Sequence, residues 1–253
     1  MNINFYWNGD DFQFLNRLTI LSHIIVGHHP VIWLHGPRPK SIYWVDDIPE
    51  IEIRDANEIF DTSEMIKKGV DIRTTSDKFS YYLLKTVDGY YADTDAIALQ
   101  PWPDIPLVLA TYDESVINVG VMKIPKEHPV LDECIKTHRP TWGNVKVFTR
   151  VVRDAGLDYN VPIKLFYPVH CGNNFSKTMN CHGRILDPVD TQGVDIDKSV
   201  SYHYWSNKVH KVMIDHTWLD KPELLENSLF RRLCEWVFGG VEYLMTNKGC
   251  IDD

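Results

Sequence analysis

The sequence has few of the features that mark membrane proteins or nucleic-acid-binding proteins. Its longest apolar runs, such as residues 105–110 and 116–122, are far too short to cross a bilayer. The N-terminus has no basic segment followed by an apolar stretch, so we expect no secretory signal. Lysine and arginine number 26 against 35 acidic residues, giving a net charge of −9. This negative net charge argues against binding nucleic acid through its phosphates. An anionic substrate would need a local positive charge in its binding site, such as a bound cation.

Two common phosphate-binding loops are also absent, because the chain has neither a Gly-x-Gly-x-x-Gly turn nor a Gly-Lys-Ser/Thr loop. The five cysteines are an odd and scattered set, which is typical of free thiols in a reducing compartment, and we expect a cytoplasmic protein. With 253 residues, 44% of them hydrophobic and 24% charged, the composition is that of an ordered enzyme. No repeat or linker divides the chain, so we expect one domain over residues 1–253.

Alternating strand and helix signals predict an α/β fold with a single mixed central sheet flanked by helices. We expect strands near residues 4–7, 31–35, 89–99, 107–111 and 118–124. We expect helices near residues 14–25, 77–87, 129–137, 144–155 and 222–245. Between the first helix and the second strand, His28 and His29 follow Gly27, and we expect a solvated turn there.

The stretch from Gly89 to Leu99 contains the strongest candidate site, because Asp93 and Asp95 lie one residue apart within it. In extended backbone, residues two apart point to the same side, so the two carboxylates could share one hard cation. Magnesium and manganese prefer such oxygen ligands and keep positions open for water and substrate phosphate. Asp-x-Asp also occurs in solvated turns, where aspartates bond their own backbone, and the motif alone does not decide between the two.

Two segments, Ser76 to Leu84 and Gly89 to Asp95, resemble glycosyltransferase family 32. That family carries a Ser-Asp pair, then an arginine, then a Gly-Gly-x-Tyr-x-Asp-x-Asp string. Further segments similar to the family follow in its order over roughly 200 residues: 4–9, 118–122, 128–129, 143–150, 166–168 and 202–207. The chain departs from the family at Ser80, where the family has an arginine that holds the donor sugar, and at Asp88, which replaces a glycine.

The resemblance implies a GT-A fold and a transferase that moves a sugar from a nucleotide-sugar donor, UDP-linked, to a glycan or other hydroxyl acceptor with retention. It implies a Mn²⁺ or Mg²⁺ cofactor and a place in polysaccharide biosynthesis. The metal ligands implied by the resemblance are Asp93, Asp95 and His203. The donor-binding residues that it implies are Trp7, Asn8, Asp77, Asp93, Thr94, Asn118, Trp205 and Ser206.

Several of these residues also have ordinary structural interpretations. Asp77 is expected in the first turn of its helix, where an aspartate serves equally well as a cap. Trp7 could pack in the core instead of against a nucleobase, and a lone histidine such as His203 is often structural. Asn118 could merely satisfy a strand end.

The route of the reaction is left open by the residues themselves. An inverting enzyme needs a carboxylate base, for which Asp113 and the neighbouring Glu114 are the candidates. A retaining enzyme of the family uses front-face attack, in which the leaving phosphate oxygen takes the proton.

Two rival functions remain: a non-catalytic sugar- or nucleotide-binding relative, and a metal-dependent phosphohydrolase or nucleotidyltransferase. A phosphohydrolase or nucleotidyltransferase would need further carboxylates close to Asp93 and Asp95 to bind another metal ion.

Overall fold

The protein is described as a computed structural model that covers residues 1–111, 116–141, 143–157, 163–167, 198–204 and 228–246. Its strands are β1 Asn2–Trp7, β2 His29–Leu34, β3 Glu52–Asp55, β4 Tyr90–Ala92, β5 Ala96–Ala98, β6 Val108–Thr111, β7 Ile117–Lys123 and β8 Ser201–His203. Its α-helices are α1 Phe14–Ile25, α2 Ser63–Lys67, α3 Ile72–Thr86, α4 Val130–Thr137, α5 Asn144–Asp154, α6 Ile163–Phe166 and α7 Leu229–Thr246. A 3₁₀ helix spans Lys40–Asp47.

Six strands form the central sheet in the order β3-β2-β1-β4-β7-β6. The first four are parallel, and β7 runs antiparallel to both β4 and β6. The sheet is therefore mixed, as the sequence predicts, and the α/β class is confirmed. A separate antiparallel pair joins β5 to β8, which the sequence pattern does not reveal.

Helices cover both faces of the sheet. Side chains of a strand alternate between the two faces, so one strand contributes to both apolar clusters. Ile3 and Phe5 of β1 pack in one apolar cluster with residues of α1 and α7. Tyr6 packs in the other cluster with residues of α3, α4 and α5. No helix in the part of the chain that the structure describes is both long and apolar enough to cross a membrane.

The carboxyl ends of β1 and β4 lie at the point where the winding of the sheet changes direction. From β1 the chain moves outward through β2 to β3, and it then returns to add β4 on the other side of β1. In open α/β sheets, ligands bind in the crevice outside the carboxyl ends of the strands at such a switch point. Trp7 ends β1 and Ala92 ends β4, so the crevice opens directly onto the Asp93-Thr94-Asp95 segment.

Helix α3 begins earlier than the sequence predicts. Asp71 caps it and accepts a hydrogen bond from the backbone N–H of Arg73 at 3.0 Å. The predicted start at Asp77 was wrong because the polar run before it was taken for the cap, whereas Thr74 and Thr75 are buried within the helix. Asp77 therefore lies in the second turn and is not a cap.

A buried chain of hydrogen bonds links the α1–β2 connection to β5, and it overturns the prediction of a solvated turn at His28. The backbone N–H of Trp102 donates to Nε2 of His28 at 3.0 Å, and Nδ1 of His28 lies 3.0 Å from Nδ1 of His23. Nε2 of His23 lies 3.0 Å from the carbonyl of Ala96. Because a backbone N–H can only donate, both rings are neutral, with His28 donating to His23 and His23 to Ala96. Burial lowers the pKa of His23 to about 3 and that of His28 to about 4.

Candidate metal and donor site

Asp93, Thr94 and Asp95 form a tight turn between β4 and β5, so the expected extended backbone was wrong. The backbone N–H of Ala96 donates to the carbonyl of Asp93 at 3.1 Å, and the N–H of Asp93 donates to the carbonyl of Gly120 at 2.8 Å. Asp95 is buried, with only 7% exposed, whereas Asp93 and Thr94 are partly exposed. The turn, and not strand periodicity, brings the two carboxylates together.

His203 joins the two carboxylates because β8 pairs with β5 in a register that sets it opposite Ala96. The backbone N–H of Tyr204 donates to the carbonyl of Asp95 at 3.1 Å and fixes that register next to the turn. Nε2 of His203 lies 3.0 Å from Oδ1 of Asp95 and 3.8 Å from Oδ2 of Asp93. One ligand atom from each of the three residues lies within 4.8 Å of the others. The three could therefore hold one metal ion.

A glycine makes room for this cluster from the neighbouring strand. A Cβ atom on Gly120 of β7 would lie 2.7 Å from Oδ2 of Asp93 and 3.2 Å from Nε2 of His203. No side chain other than hydrogen fits there without moving a candidate ligand. The residue was missed in the sequence, although a glycine inside a strand is a signal of close approach by another group.

The electrostatics of the cluster also suit a cation. Burial by itself would lower the pKa of His203, but the charge of Asp95 and the hydrogen bonds and charge of the two carboxylates raise it to about 9. Without a metal ion, a proton on His203 balances the carboxylates. Metal binding needs a neutral imidazole, so a cation would replace that proton. The donor set, two carboxylates and one imidazole, fits a divalent ion.

Tyr91 and Ser76 orient Asp93, and neither is among the residues predicted for the site. The hydroxyl of Tyr91 donates to Oδ1 of Asp93 at 3.0 Å. The hydroxyl oxygens of Ser76 and Tyr91 lie 2.6 Å apart, and because Tyr91 uses its proton on Asp93, Ser76 donates to Tyr91. With Oδ1 engaged, Oδ2 is the atom of Asp93 that faces Gly120 and His203.

Asp77 lies beside this cluster on α3. Burial raises the pKa of its carboxyl well above the usual range, and the nearby charge of Asp93 raises it further. Because Asp71 already caps the helix, the capping interpretation of Asp77 does not hold. Ser80, one turn later, is buried and donates to the carbonyl of Asp77 at 2.7 Å. The hydroxyl of Ser80 is therefore engaged by the helix backbone.

Three further predicted donor-binding residues, Trp7, Asn8 and Asn118, lie around the same crevice. Trp7 is half-buried at the end of β1, with its indole N–H donating to the carbonyl of Gly9 at 3.2 Å, and Asn8 follows it. The side chain of Asn118 accepts a hydrogen bond from the backbone N–H of Gly120 at 3.1 Å. It thus supports the glycine that makes room for the cluster.

Thr94 is fixed from two sides at the tip of the turn. The amide of Asn16 in α1 donates to both the carbonyl and the hydroxyl of Thr94, each at 3.2 Å. The hydroxyl of Tyr204 donates to the same carbonyl at 3.2 Å. The remaining predicted residues, Asp113, Trp205 and Ser206, lie outside the described residues.

Comparisons with known proteins give matches among solved structures. No known protein-family profile matches the chain, and no curated protein matches it. Among solved structures it is similar to the PaToxG glycosyltransferase, at 14% identity and a TM-score of 0.45, over 100% of this chain and 88% of that one. It is also similar to the apo form of the glycosyltransferase GlyE from Streptococcus pneumoniae TIGR4, at 14% identity and a TM-score of 0.49, over 95% of this chain and 63% of GlyE. At such identities and scores these likenesses assign no role to any residue of this chain.

Proposed function

We propose that this protein is a metal-dependent glycosyltransferase with a single GT-A-like domain over residues 1–253. It would move a sugar from a UDP-linked donor to a hydroxyl group of a glycan acceptor. The observation that carries the proposal is the group of Asp93, Asp95 and His203 at the switch point of the sheet, where Gly120 leaves room for the side chains of Asp93 and His203.

The chemistry of such a transfer explains why an acidic protein would have this site. A cation held by Asp93, Asp95 and His203 would neutralise the charge that grows on the leaving diphosphate. Mn²⁺ or Mg²⁺ suits a site with two carboxylates. Among the described residues this is the one group of three metal-ligating side chains, so a two-metal hydrolase is the poorer match.

The residues of this chain would divide the remaining work. Trp7 would lie against the nucleobase at the end of β1, with Asn8 and Thr94 beside it. Asp77 and Asn118 would face hydroxyl groups of the donor, because they flank Asp93 and Gly120 respectively. Trp205 and Ser206 would bind the donor, as the resemblance implies.

We further propose retention of configuration. In front-face attack the bond between the anomeric carbon and the phosphate oxygen breaks, the acceptor oxygen bonds to that carbon, and the acceptor proton passes to the departing phosphate oxygen. No protein base is then required. If the enzyme inverts instead, Asp113 would be the base that takes the proton. The anomeric configuration of the product, read by NMR, distinguishes these routes.

Replacing Asp95 tests the site. We expect Asp95→Ala and the isosteric Asp95→Asn to abolish Mn²⁺-dependent release of UDP from a UDP-sugar while the protein stays folded. The matched control is Asp88→Ala, which removes an exposed carboxylate that pairs with Lys126 at 3.0 Å. Transfer at the parental rate by Asp95→Ala would show that the site is wrongly assigned.

The donor can be found by thermal-shift screening of nucleotides and nucleotide sugars with and without Mn²⁺. A ligand that binds only the native state raises the melting temperature. We expect UDP to raise it more when Mn²⁺ is present. An equal shift with UDP in the presence of a chelator would count against a metal that bridges protein and diphosphate.

A further inference from the structure

The guanidinium of Arg17 on α1 makes no hydrogen bond or ion pair with any residue that the structure describes. It lies over two aromatic rings, 5.0 Å from the centre of the Trp44 ring and 6.0 Å from that of Phe238. Its Nε atom is buried without an acceptor in the described part of the chain. The first turn of α1 contains no acidic residue. Burial lowers the pKa of Arg17, as expected for a partly desolvated charge that no carboxylate balances.

Trp44 adds a second donor of the same kind. Its indole N–H is also buried without an acceptor among the described residues. A buried donor left without a partner costs about 1–3 kcal/mol, and here two such donors belong to side chains that stack on each other. Folded proteins keep few groups of this kind, and each one calls for an explanation such as a bound water or ion.

A similar pair elsewhere in the chain shows what a purely structural stack looks like. Arg54 lies 5.3 Å from the centre of the Trp33 ring, but its Nε also pairs with Oε1 of Glu52 at 2.6 Å. The indole N–H of Trp33 donates to Oδ1 of Asn4 at 3.0 Å. Both polar groups of that stack are satisfied from within the protein, whereas neither group of the Arg17–Trp44 stack has a partner among the residues that the structure describes.

The Arg17–Trp44 stack lies at the carboxyl end of the sheet, next to the crevice of the metal site. The ring of Phe12 connects the two, with its centre 4.9 Å from that of Trp7 and 6.3 Å from that of Trp44. The backbone N–H of Phe12 also donates to the hydroxyl of Ser41, at 2.6 Å, which fixes the 3₁₀ helix that bears Trp44. Apolar walls of this kind exclude water and strengthen charge-assisted hydrogen bonds.

We propose that Arg17 and Trp44 form a binding site for an oxyanion, a carboxylate or phosphate group carried by a ligand. Both side chains are only half-buried, so an anion from solvent can reach the guanidinium, and a small shift of the rings brings the indole N–H into contact with it. Arginine suits such a group because its planar fork donates two hydrogen bonds to one carboxylate or phosphate. The site uses none of the side chains of Asp93, Asp95 and His203 and needs no metal. If the proposed transferase activity holds, the site selects a substrate that carries an acidic group.

The test uses the indole ¹H–¹⁵N resonance of Trp44, which is assigned by its loss in Trp44→Phe. The protein is titrated without metal with inorganic phosphate and, separately, with acetate, each against sodium chloride at matched ionic strength. We expect a saturable shift of this resonance with phosphate or acetate and none with chloride. A response to phosphate alone identifies a phosphoryl group as the ligand, and a response to both includes carboxylates.

Two variants locate the effect. In Arg17→Gln the anion should bind roughly tenfold more weakly or worse, since a hydrogen bond to a charged group is lost. Arg54→Gln, which alters the satisfied stack, should bind like the parent. A Trp44 resonance that does not respond to either anion in the parent protein would overturn the proposal even if Arg17→Gln fails to fold. An equal response in a folded Arg17→Gln protein would also overturn it.

Discussion

Replacing Gly120 with alanine is the most informative change, because it adds one methyl group at the centre of the metal site and alters nothing else. Gly120 lies within β7 and is not among the glycines with positive φ, so alanine fits the backbone. The added Cβ would lie 2.7 Å from Oδ2 of Asp93 and 3.2 Å from Nε2 of His203. We therefore expect the fold to persist and the site to be distorted.

The size of the effect follows from these distances. Ordinary contacts of a Cβ atom begin at 3.4 Å, so Oδ2 of Asp93, at 2.7 Å, must retreat by about 0.7 Å. Metal–ligand distances tolerate about 0.2 Å, so Asp93 would be lost as a ligand or would bind in a poorer geometry. Disturbing even an outer partner of a metal ligand weakens binding about 10- to 100-fold. We expect at least this loss, roughly 1.4–2.8 kcal/mol of binding free energy.

The assay is calorimetric titration with Mn²⁺, accompanied by a melting curve to confirm folding. Gly239→Ala in α7 is the matched control, because a Cβ there meets nothing within 4 Å. That control should bind Mn²⁺ like the parent and gain up to about 1 kcal/mol of helix stability. If Gly120→Ala binds Mn²⁺ with the parental affinity, the ion does not lie between Asp93 and His203, and the reasoning fails.

Three further predictions concern Tyr91, the protonation of His203 and the buried histidine pair. Tyr91→Phe removes the donor to Oδ1 of Asp93, and Mn²⁺ affinity measured by calorimetry should fall about 10- to 100-fold; an unchanged affinity would mean that the bond does not orient the ligand. Because the pKa of His203 is about 9, Mn²⁺ affinity should rise about tenfold per pH unit from pH 6 to 9, and a flat profile would exclude His203 as a ligand. The buried His23 and His28 have pKa values of about 3 and about 4, below the value in the unfolded chain. Their contribution to stability is therefore complete above about pH 6.5 and is lost as the pH falls towards 4. Urea unfolding should show a loss of about 2 kcal/mol per histidine by pH 5, and equal stability at pH 7 and pH 5 would contradict the neutral tautomers.

Four strands of the central sheet, β1, β2, β6 and β7, could be predicted from local signals alone, whereas β3 was missed and the strand expected over residues 89–99 is two strands separated by a turn. The apolar segments that form β1, β2 and β7 are bounded by glycine, proline or asparagine, and each lies within one or two residues of its expected position. Their order in the sheet could not be predicted in this way, since pairing depends on contacts between residues distant in the chain. The pairing of β5 with β8, which delivers His203, joins residues more than 100 positions apart.

The candidate site shows the same division. Asp93 and Asp95 could be selected by residue type, yet the reason given for their convergence was wrong, because a turn and not extended backbone brings them together. Tyr91 and Ser76 were missed since a hydroxyl carries no chemical signal until its neighbours are known, whereas Gly120 was missed although a glycine inside a strand indicates close approach by another group. His28, expected in solvent, is buried because its ring completes a hydrogen-bond chain that begins at the distant Trp102.

The most direct test of the central claim is a crystal structure with Mn²⁺ and UDP, with diffraction data collected at the manganese absorption edge. We expect one anomalous peak within coordination distance of Asp93, Asp95 and His203, with the diphosphate on its open side and the uracil ring against Trp7. An anomalous peak elsewhere, or UDP bound away from the carboxyl ends of β1 and β4, would contradict the proposed site.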